Sequence, residues 1–539
     1  MLGRMMQMPL LISSLLRHAV RWHGDSEIVS RLVEGGIART TWTQLGERAC
    51  QLAHVLNDWG VQRGDRVGTL AWNNQRHVET YFAVSASGAV CHTINPRLFP
   101  DQIVWIINDA EDTHVFFDLS FVKLVEQIAP RCPSVKSWIA YTDSEHMPVM
   151  TPQALCYETL IAGRQTEFDW PQLDENEASS LCYTSGTTGN PKGVLYSHRS
   201  TVLHAYCVCL PDTMSVSAAD CVLPVVPMFH VNAWGTPYAI ALTGAKLVLP
   251  GPALDGPSLA SLMADEGVTL TAGVPTVWLG LLKHLKEAGQ KLPALQRVVI
   301  GGAAAPPAMI RQFAEMGITV RHAWGMTEMS PLGTVCTLKT KHTDMSSEAR
   351  EAVLLKQGRP IFGVDLKIVD AEGRELPRDG KAFGDLMVRG PWILESYFKG
   401  AGGDVLQDGW FATGDVSTID PDGYMGITDR SKDVIKSGGE WISSIDLENH
   451  AMAHPAVAEA AAIGVRHPKW DERPILVVVK KPGADLTRDM LLEFMRDKIA
   501  KWWMPDDVVF VEDLPHTATG KLSKKDLRER LRDYALPGV

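Results

Sequence analysis

The spacing of apolar and polar positions changes character twice along the 539 residues. Up to about residue 180, apolar residues three and four apart predict helices over 11–22, 42–59, 75–88 and 100–109. Short apolar runs at 66–70, 89–91 and 115–117 read as strands between them. Beyond residue 240 the alternation becomes regular. Strands at 245–249, 269–272, 297–300 and 319–323 are separated by helices at 258–266, 275–288 and 307–316. Pro275 opens one of these helices and Gly289 closes it. Repeated strand-helix-strand units imply α/β architecture with doubly wound parallel sheets, which bind ligands beyond the carboxyl ends of their strands.

From Gln357 the period shortens to alternating runs set off by turn sequences such as Arg378-Asp379-Gly380 and Asp420-Pro421-Asp422-Gly423, which predicts a small barrel-like antiparallel unit to about residue 428. The charged run Asp429-Arg430-Ser431-Lys432-Asp433 reads as an exposed linker. After it comes a compact α+β set, with helices at 444–453, 487–502 and 523–534 and strands at 460–465, 475–479 and 508–511. The length is too great for one core, so a large domain over 1–428, a linker over 429–434 and a small domain over 435–539 are expected.

The net charge of −11 argues against nucleic acid or an anionic membrane as the main partner. Nine cysteines are scattered without metal-ligand spacing, and Cys207 and Cys209, on an apolar helical pattern, read as buried fillers. Reduced thiols and a cytoplasmic home follow. The apolar run at 8–12 is broken by Ser13-Ser14 and lacks a cleavage site, so it reads as the start of an amphipathic helix rather than a signal peptide. No apolar stretch is long enough to span a bilayer.

The candidate chemistry centres on Tyr183-Thr184-Ser185-Gly186-Thr187-Thr188-Gly189-Asn190-Pro191-Lys192-Gly193, with four aliphatic hydroxyls, three glycines and a lysine in eleven residues. Glycines turn backbone N–H groups onto an anion, hydroxyls donate further, and the lysine adds charge, so phosphate is the natural ligand. The apolar flanks make this a strand, a phosphate-gripping loop and a second strand. A P-loop is excluded because Lys192 lies between Pro191 and Gly193 instead of preceding a hydroxyl residue at a helix start. Three further segments follow successive predicted strands and should converge on one sheet edge: 273–276, 301–305 and 324–328. Small residues at 301–305 admit a flat ring, Trp324 offers a stacking face, and Glu328 offers a hard oxygen for magnesium. Nothing charged in the stretch from Pro227 to Gly235 could pair with an amino group, which disfavours amino-acid substrates.

The hydroxyl-rich stretch resembles the signature of the adenylate-forming superfamily: acyl-CoA synthetases, luciferases and peptide-synthetase adenylation domains. The resemblance covers essentially the whole chain after the first helix. At Phe229 to Trp234, Gly438 to Ser443 and Trp470 it looks most like fatty acyl-CoA synthetases, in the branch that includes medium-chain and 3-methylmercaptopropionate CoA ligases. It implies ATP, Mg2+ and coenzyme A, with a carboxylic acid as substrate, a mobile C-terminal domain and a homodimer. Carried over by position, Thr184, Ser185, Gly186, Thr187, Thr188, Gly189 and Lys192 would hold the phosphates. Gly302, Ala303, Ala304, Trp324, Gly325, Met326 and Thr327 would line the nucleotide, with Asp415 on the ribose and Ile427, Arg430 and Lys432 beside it. Thr184 and Glu328 would position magnesium. His230, Val231, Trp234, Gly235, Gly301 and Pro331 would surround the acid. Lys521, in the Gly520-Lys521 loop, would be the catalytic lysine of adenylation, and Asp429 the hinge. Lys436, Gly438, Gly439, Glu440 and Trp441 would serve the coenzyme A step. One departure is Ala323-Trp324-Gly325, where the family commonly has Gly-Tyr-Gly; the added methyl group leaves acid length open. An acyl-AMP ligase feeding a carrier protein, a long-chain ligase, oxidative luciferase chemistry and an ATP-binding regulator are the alternatives.

Overall fold

A computed structural model describes residues 1, 3–184, 190–437, 440–516 and 522–537. The chain forms two compact units, Met1–Asp365 with Arg389–Phe411, and Leu366–Val388 with Ala412–Val539. Among the described residues the first unit holds two large sheets. One has nine strands, with Thr319–Gly325, Arg297–Ile300, Leu270–Gly273, Cys221–Pro224, Lys246–Leu249 and Glu27–Arg31 parallel along its middle and antiparallel pairs at both edges. The other has seven strands and is parallel except for its last pair, Ala178–Tyr183 with Gly193–Ser197. Helices Gln75–Ala86 and Thr236–Thr243 are buried almost throughout, the first although it carries Arg76, His77, Glu79 and Thr80. The first touches Val90–Thr93 and Ala178–Tyr183 of one sheet and Glu27–Arg31 of the other, so it fills the layer they enclose.

The parallel α/β expectation therefore holds, and several boundaries match the hydrophobic pattern: Arg66–Leu70, Pro275–Ala288 and Arg297–Ile300. Cys207 is buried and Cys209 half-buried, both as free thiols. No described helix is long and apolar enough to cross a membrane.

The second unit takes in most of one sheet that includes Asp365–Val369, Phe383–Arg389, Trp410–Ile419 and Met425–Arg430, the last two paired antiparallel, then a sheet built on Val457–His467 and Asp471–Lys480 with apolar clusters on both faces. Three expectations change here. The helix expected over 487–502 stops at Arg488–Met495. Arg473 explains it, since its guanidinium lies over Trp502 and takes the carbonyls of Trp502 and Met504, which a continuing helix would orient along its own axis. The closing helix is likewise shorter, Lys524–Arg530, and Tyr534 instead donates to Asp507. Finally, residues 429–433 are not exposed throughout: Arg430 and Lys432 are, but both aspartates are buried. Asp429 is 1% exposed and accepts from the Ser444 amide at 2.5 Å, and Asp433 is paired with Arg528 at 2.6 Å. A charge run looks solvated in sequence because its partners lie elsewhere.

Five buried histidines make the first unit acid-sensitive. Burial pushes His77, His114, His198 and His322 down to about 4 and His204 to about 3. These rings stay neutral in the native state, so below the ordinary value near 6.5 the unfolded chain binds more protons. Stability is complete above that value and falls with pH through the window from 6.5 to 4, by about 1.4 kcal/mol per pH unit for each ring. Asp118, raised by burial to about 7, acts in the opposite sense and offsets part of the loss. A denaturant midpoint that drops steeply between pH 7 and pH 5 is expected; a flat one rejects the assignment.

Candidate active site

The strand-loop-strand reading of the hydroxyl-rich stretch is realised at its described ends. Ala178–Tyr183 and Gly193–Ser197 pair antiparallel with Tyr183 opposite Gly193. At the loop mouth the Thr184 amide donates to the Lys192 carbonyl at 2.9 Å and the Lys192 amide donates to Thr184 Oγ1 at 3.2 Å. Ser185, Gly186, Thr187, Thr188 and Gly189 lie outside the described residues. Gly193 is required by close packing, since a Cβ there would fall 2.9 Å from Phe398 Cβ and 3.1 Å from Leu181.

From this mouth a line of contacts runs to Glu328. The Lys192 ammonium sits 4.9 Å over the ring of Tyr397, and the Tyr397 hydroxyl donates to Glu328 Oε1 at 2.7 Å. Glu328 is 7% exposed. Its backbone is held as well: Leu394 donates to the Glu328 carbonyl at 2.8 Å, and Tyr196, on the second strand of the hairpin, donates to the Thr327 carbonyl at 2.6 Å. Thr184, Lys192 and Glu328, singled out separately from sequence, thus belong to one connected cluster. Tyr397, which joins them, carried no sequence signal.

Trp324 and Gly325 differ from expectation in being the last residues of strand Thr319–Gly325, not a loop after it. The strand extends because it gains an antiparallel partner, Leu332–Val335, whose pairing holds Trp324 opposite Thr334. The space is tight, for a Cβ at Gly325 would meet the Pro331 carbonyl oxygen at 2.0 Å. Met326 donates to that same carbonyl at 3.1 Å.

The expected acid-binding stretch has an unusual backbone. Val231, Asn232, Ala233 and Trp234 have φ of 47°, 52°, 50° and 56°, and Gly235 continues at 74°, a left-handed turn just after half-buried His230. Each non-glycine residue there costs about 1–2 kcal/mol. Asn232 anchors the turn: its amide donates to Ser180 Oγ at 3.0 Å, and its oxygen lies 3.5 Å from the Cys182 thiol, both on the strand that leads into the hydroxyl loop. Asn73 fixes the approach, accepting from the Met228 amide at 2.6 Å while donating to the Pro224 and Val226 carbonyls. His204 lies beneath Gly235, where a Cβ would meet Nδ1 at 2.6 Å, and its Nε2 accepts from the Leu332 amide. The turn aims the Trp234 indole at Gly301 and Gly302; a Cβ on Gly301 would come within 3.1 Å of the ring. Strain of this kind is held where surrounding structure over-determines it, commonly at ligand sites.

In the second unit Asp415 and Arg430 face each other across paired strands, with Arg430 Nε 2.8 Å from Asp415 Oδ1. Asp415 is 2% exposed. Ile427 is half-buried on the same strand as Arg430, opposite Ser417, and Lys432 follows, exposed. Exposed Lys436 lies on strand Ile435–Ser437, paired with Glu440–Ile442, and its amide donates to Glu472 at 3.0 Å. Gly438, Gly439 and Lys521 lie outside the described residues. Ala303 and Ala304 are exposed at the end of strand Arg297–Ile300.

Residues 16–398 match the AMP-binding enzyme family and residues 446–521 match the AMP-binding enzyme C-terminal domain. The chain belongs to the AMP-binding enzyme family. Over its whole length it is 56% identical to a 3-methylmercaptopropionyl-CoA ligase of Ruegeria lacuscaerulensis, all of which it covers. It is 52% identical to a medium-chain fatty acid CoA ligase of Ectopseudomonas oleovorans, over 99% of this chain and 98% of that one. Among solved structures, an anthranilate CoA ligase in complex with anthranoyl-AMP superposes with a TM-score of 0.85 at 25% identity, covering 97% of this chain and 98% of the other. The adenylate-forming resemblance read from residues 183–193 is thereby established for the whole chain. Within this AMP-binding enzyme, Tyr397, Asn232, Asn73 and His204 are the site-building residues that sequence reading missed. Only the prolonged polar exception to an apolar pattern, as at Asn232, offered any hint of them.

Proposed function

We propose that this AMP-binding enzyme is an acyl-CoA synthetase converting a carboxylic acid, ATP and coenzyme A to acyl-CoA, AMP and pyrophosphate through an acyl-adenylate. The observation that carries the reading is the connected cluster of Thr184, Lys192, Tyr397 and Glu328, in which one ring links an ammonium at the mouth of a hydroxyl-rich loop to a buried carboxylate. A free carboxylate resists nucleophiles because of its charge and because oxide is a hopeless leaving group; joined to AMP it becomes a mixed anhydride. Its oxygen attacks the α-phosphorus and pyrophosphate departs, so negative charge must be met by groups fixed in advance. Lys192 and the loop hydroxyls would meet the departing phosphates, His230 and the left-handed turn would orient the acid, Asp415 would hold the ribose, and Lys521 would bridge acid and α-phosphate. The coenzyme A thiolate would then attack the acyl carbon and expel AMP on a face that includes Lys436. Residues 429–434 would be the hinge for a rotation of the C-terminal domain that separates the two half-reactions.

Magnesium fits the residues present. Glu328 is a buried carboxylate held in one orientation, and Thr184 adds a hydroxyl, which are the hard oxygens this ion takes alongside phosphate and water. When bound, the ion would neutralise phosphate charge. A fatty acid of short or medium chain, or 3-methylmercaptopropionate, is the proposed substrate, supported by the relatives above and by the apolar Trp234, Gly301 and Gly302 surface. A cytoplasmic location, supported by nine free thiols, and a homodimer complete the proposal. A panel of acids from propionate through 3-methylmercaptopropionate to palmitate, assayed for AMP release that requires free coenzyme A, tests it. Activity confined to small or medium acids is expected. AMP release that needs a carrier protein instead would overturn the coenzyme A assignment.

A further inference from the structure

We infer that Tyr397 is a positioning residue that sets two oppositely charged groups at once, its hydroxyl orienting the Glu328 carboxylate and its ring seating the Lys192 ammonium. The inference rests on the proposed adenylation reaction and assigns a role to the one member of its cluster that carries no charge. Tyr397 is only 9% exposed, so neither contact belongs to a mobile surface side chain. The hydroxyl contact of 2.7 Å spans 69 residues of sequence, so local chain geometry does not impose it. Its neighbours enclose the same groups. Leu394 holds the Glu328 carbonyl, and Gly402, at φ 86°, passes so close to Lys192 that a Cβ there would lie 2.8 Å from Nζ. Residues 394–402 therefore grip Glu328 by backbone and carboxylate and enclose the ammonium from two directions.

The chemistry suits adenylation. The phenol O–H donates to the carboxylate, so it fixes Glu328 without adding charge to the site. The hydroxyl holds Oε1 and with it the orientation of the carboxylate. An aromatic face attracts an ammonium without neutralising it, so Lys192 keeps its full charge for phosphate. A carboxylate in that place would have quenched it.

Two variants separate the functions. Tyr397→Phe keeps the ring and removes the hydroxyl, whereas Tyr397→Leu removes both. ATP binding to the full-length protein, followed by calorimetry at increasing Mg2+ without any acid, reads the effect independently of turnover, and thermal unfolding without ligands checks the fold. Y397F is expected to unfold at the wild-type temperature and to need about 10–100-fold more Mg2+ for half-maximal ATP binding, as for other residues that orient a metal's ligands. Saturating Mg2+ should restore its ATP affinity. Y397L should remain roughly 2–30-fold weaker for ATP at saturating Mg2+, the range expected for a lost cation–π contact. A Mg2+ requirement for Y397F equal to wild type overturns the inference, as does a loss of ATP affinity that Mg2+ cannot relieve. Should Y397L fail to fold, the Y397F titration decides alone. Wild-type protein that neither binds ATP with Mg2+ nor exchanges labelled pyrophosphate sinks the adenylation reading itself, whereas a normal wild type beside an unchanged Y397F sinks only the role of Tyr397.

Discussion

Replacing Glu328 with glutamine should slow acyl-adenylate formation by about 10²–10³-fold, corresponding to several kcal/mol of lost charge stabilisation in the transition state. The substitution is close to isosteric, and the glutamine oxygen can still accept from Tyr397, so packing around this 7%-exposed side chain should survive. What goes is one full negative charge, and with it, on the proposed reading, the carboxylate that would hold magnesium against the triphosphate. Labelled pyrophosphate exchange into ATP measures this half-reaction. Thioester formation from supplied acyl-AMP should be nearly unchanged, because no triphosphate takes part in it. An exchange rate close to wild type would remove Glu328 from the site.

The second large effect is expected from Lys521→Ala, which should slow acyl-AMP formation by about 10²–10³-fold, the usual consequence of deleting one preorganised charge-stabilising group. Thioester formation from supplied acyl-AMP should again be spared. Lys521 lies outside the described residues, but the stretch that holds it leaves His516 and returns at Leu522, which bridge each other, and His516 is tied to Glu459 at 2.8 Å. Equal losses in both assays would refute a lysine devoted to adenylation. The two variants share a phenotype yet differ in magnesium: added Mg2+ should partly rescue E328Q and leave K521A unaffected, since a lysine contributes charge but no metal ligand.

Much of this architecture was legible before any coordinates. Parallel strands such as Arg66–Leu70 and Arg297–Ile300 are buried on both faces, so each is a bare apolar run bounded by turn residues, and the pattern alone marks it. The strand-loop-strand around the hydroxyl-rich stretch was legible for a different reason: its glycines and hydroxyls lie contiguously between two apolar runs, and those runs are the paired strands Ala178–Tyr183 and Gly193–Ser197. Glu328 was suggested by its place after a predicted strand, whereas Asp415 was nameable only through resemblance to a family, because a single carboxylate in a turn has no pattern of its own.

Tertiary structure decided what depends on contacts between distant segments. Tyr397 acquires its meaning from Lys192 and Glu328, which local sequence does not bring to it. Val231-Asn232-Ala233-Trp234 contains no glycine and would be expected to turn right-handed; anchoring of Asn232 on Ser180 and the fit of Gly235 over His204 hold it in the left-handed region. Asp429 looked solvated until Ser444 was found beside it. Short-range periodicity thus determined which segments are strands and helices. The handedness of one turn, the burial of one charge and the pairing of carboxylate with ammonium through a single ring came from packing, because their energies are set by neighbours that the chain supplies only once folded.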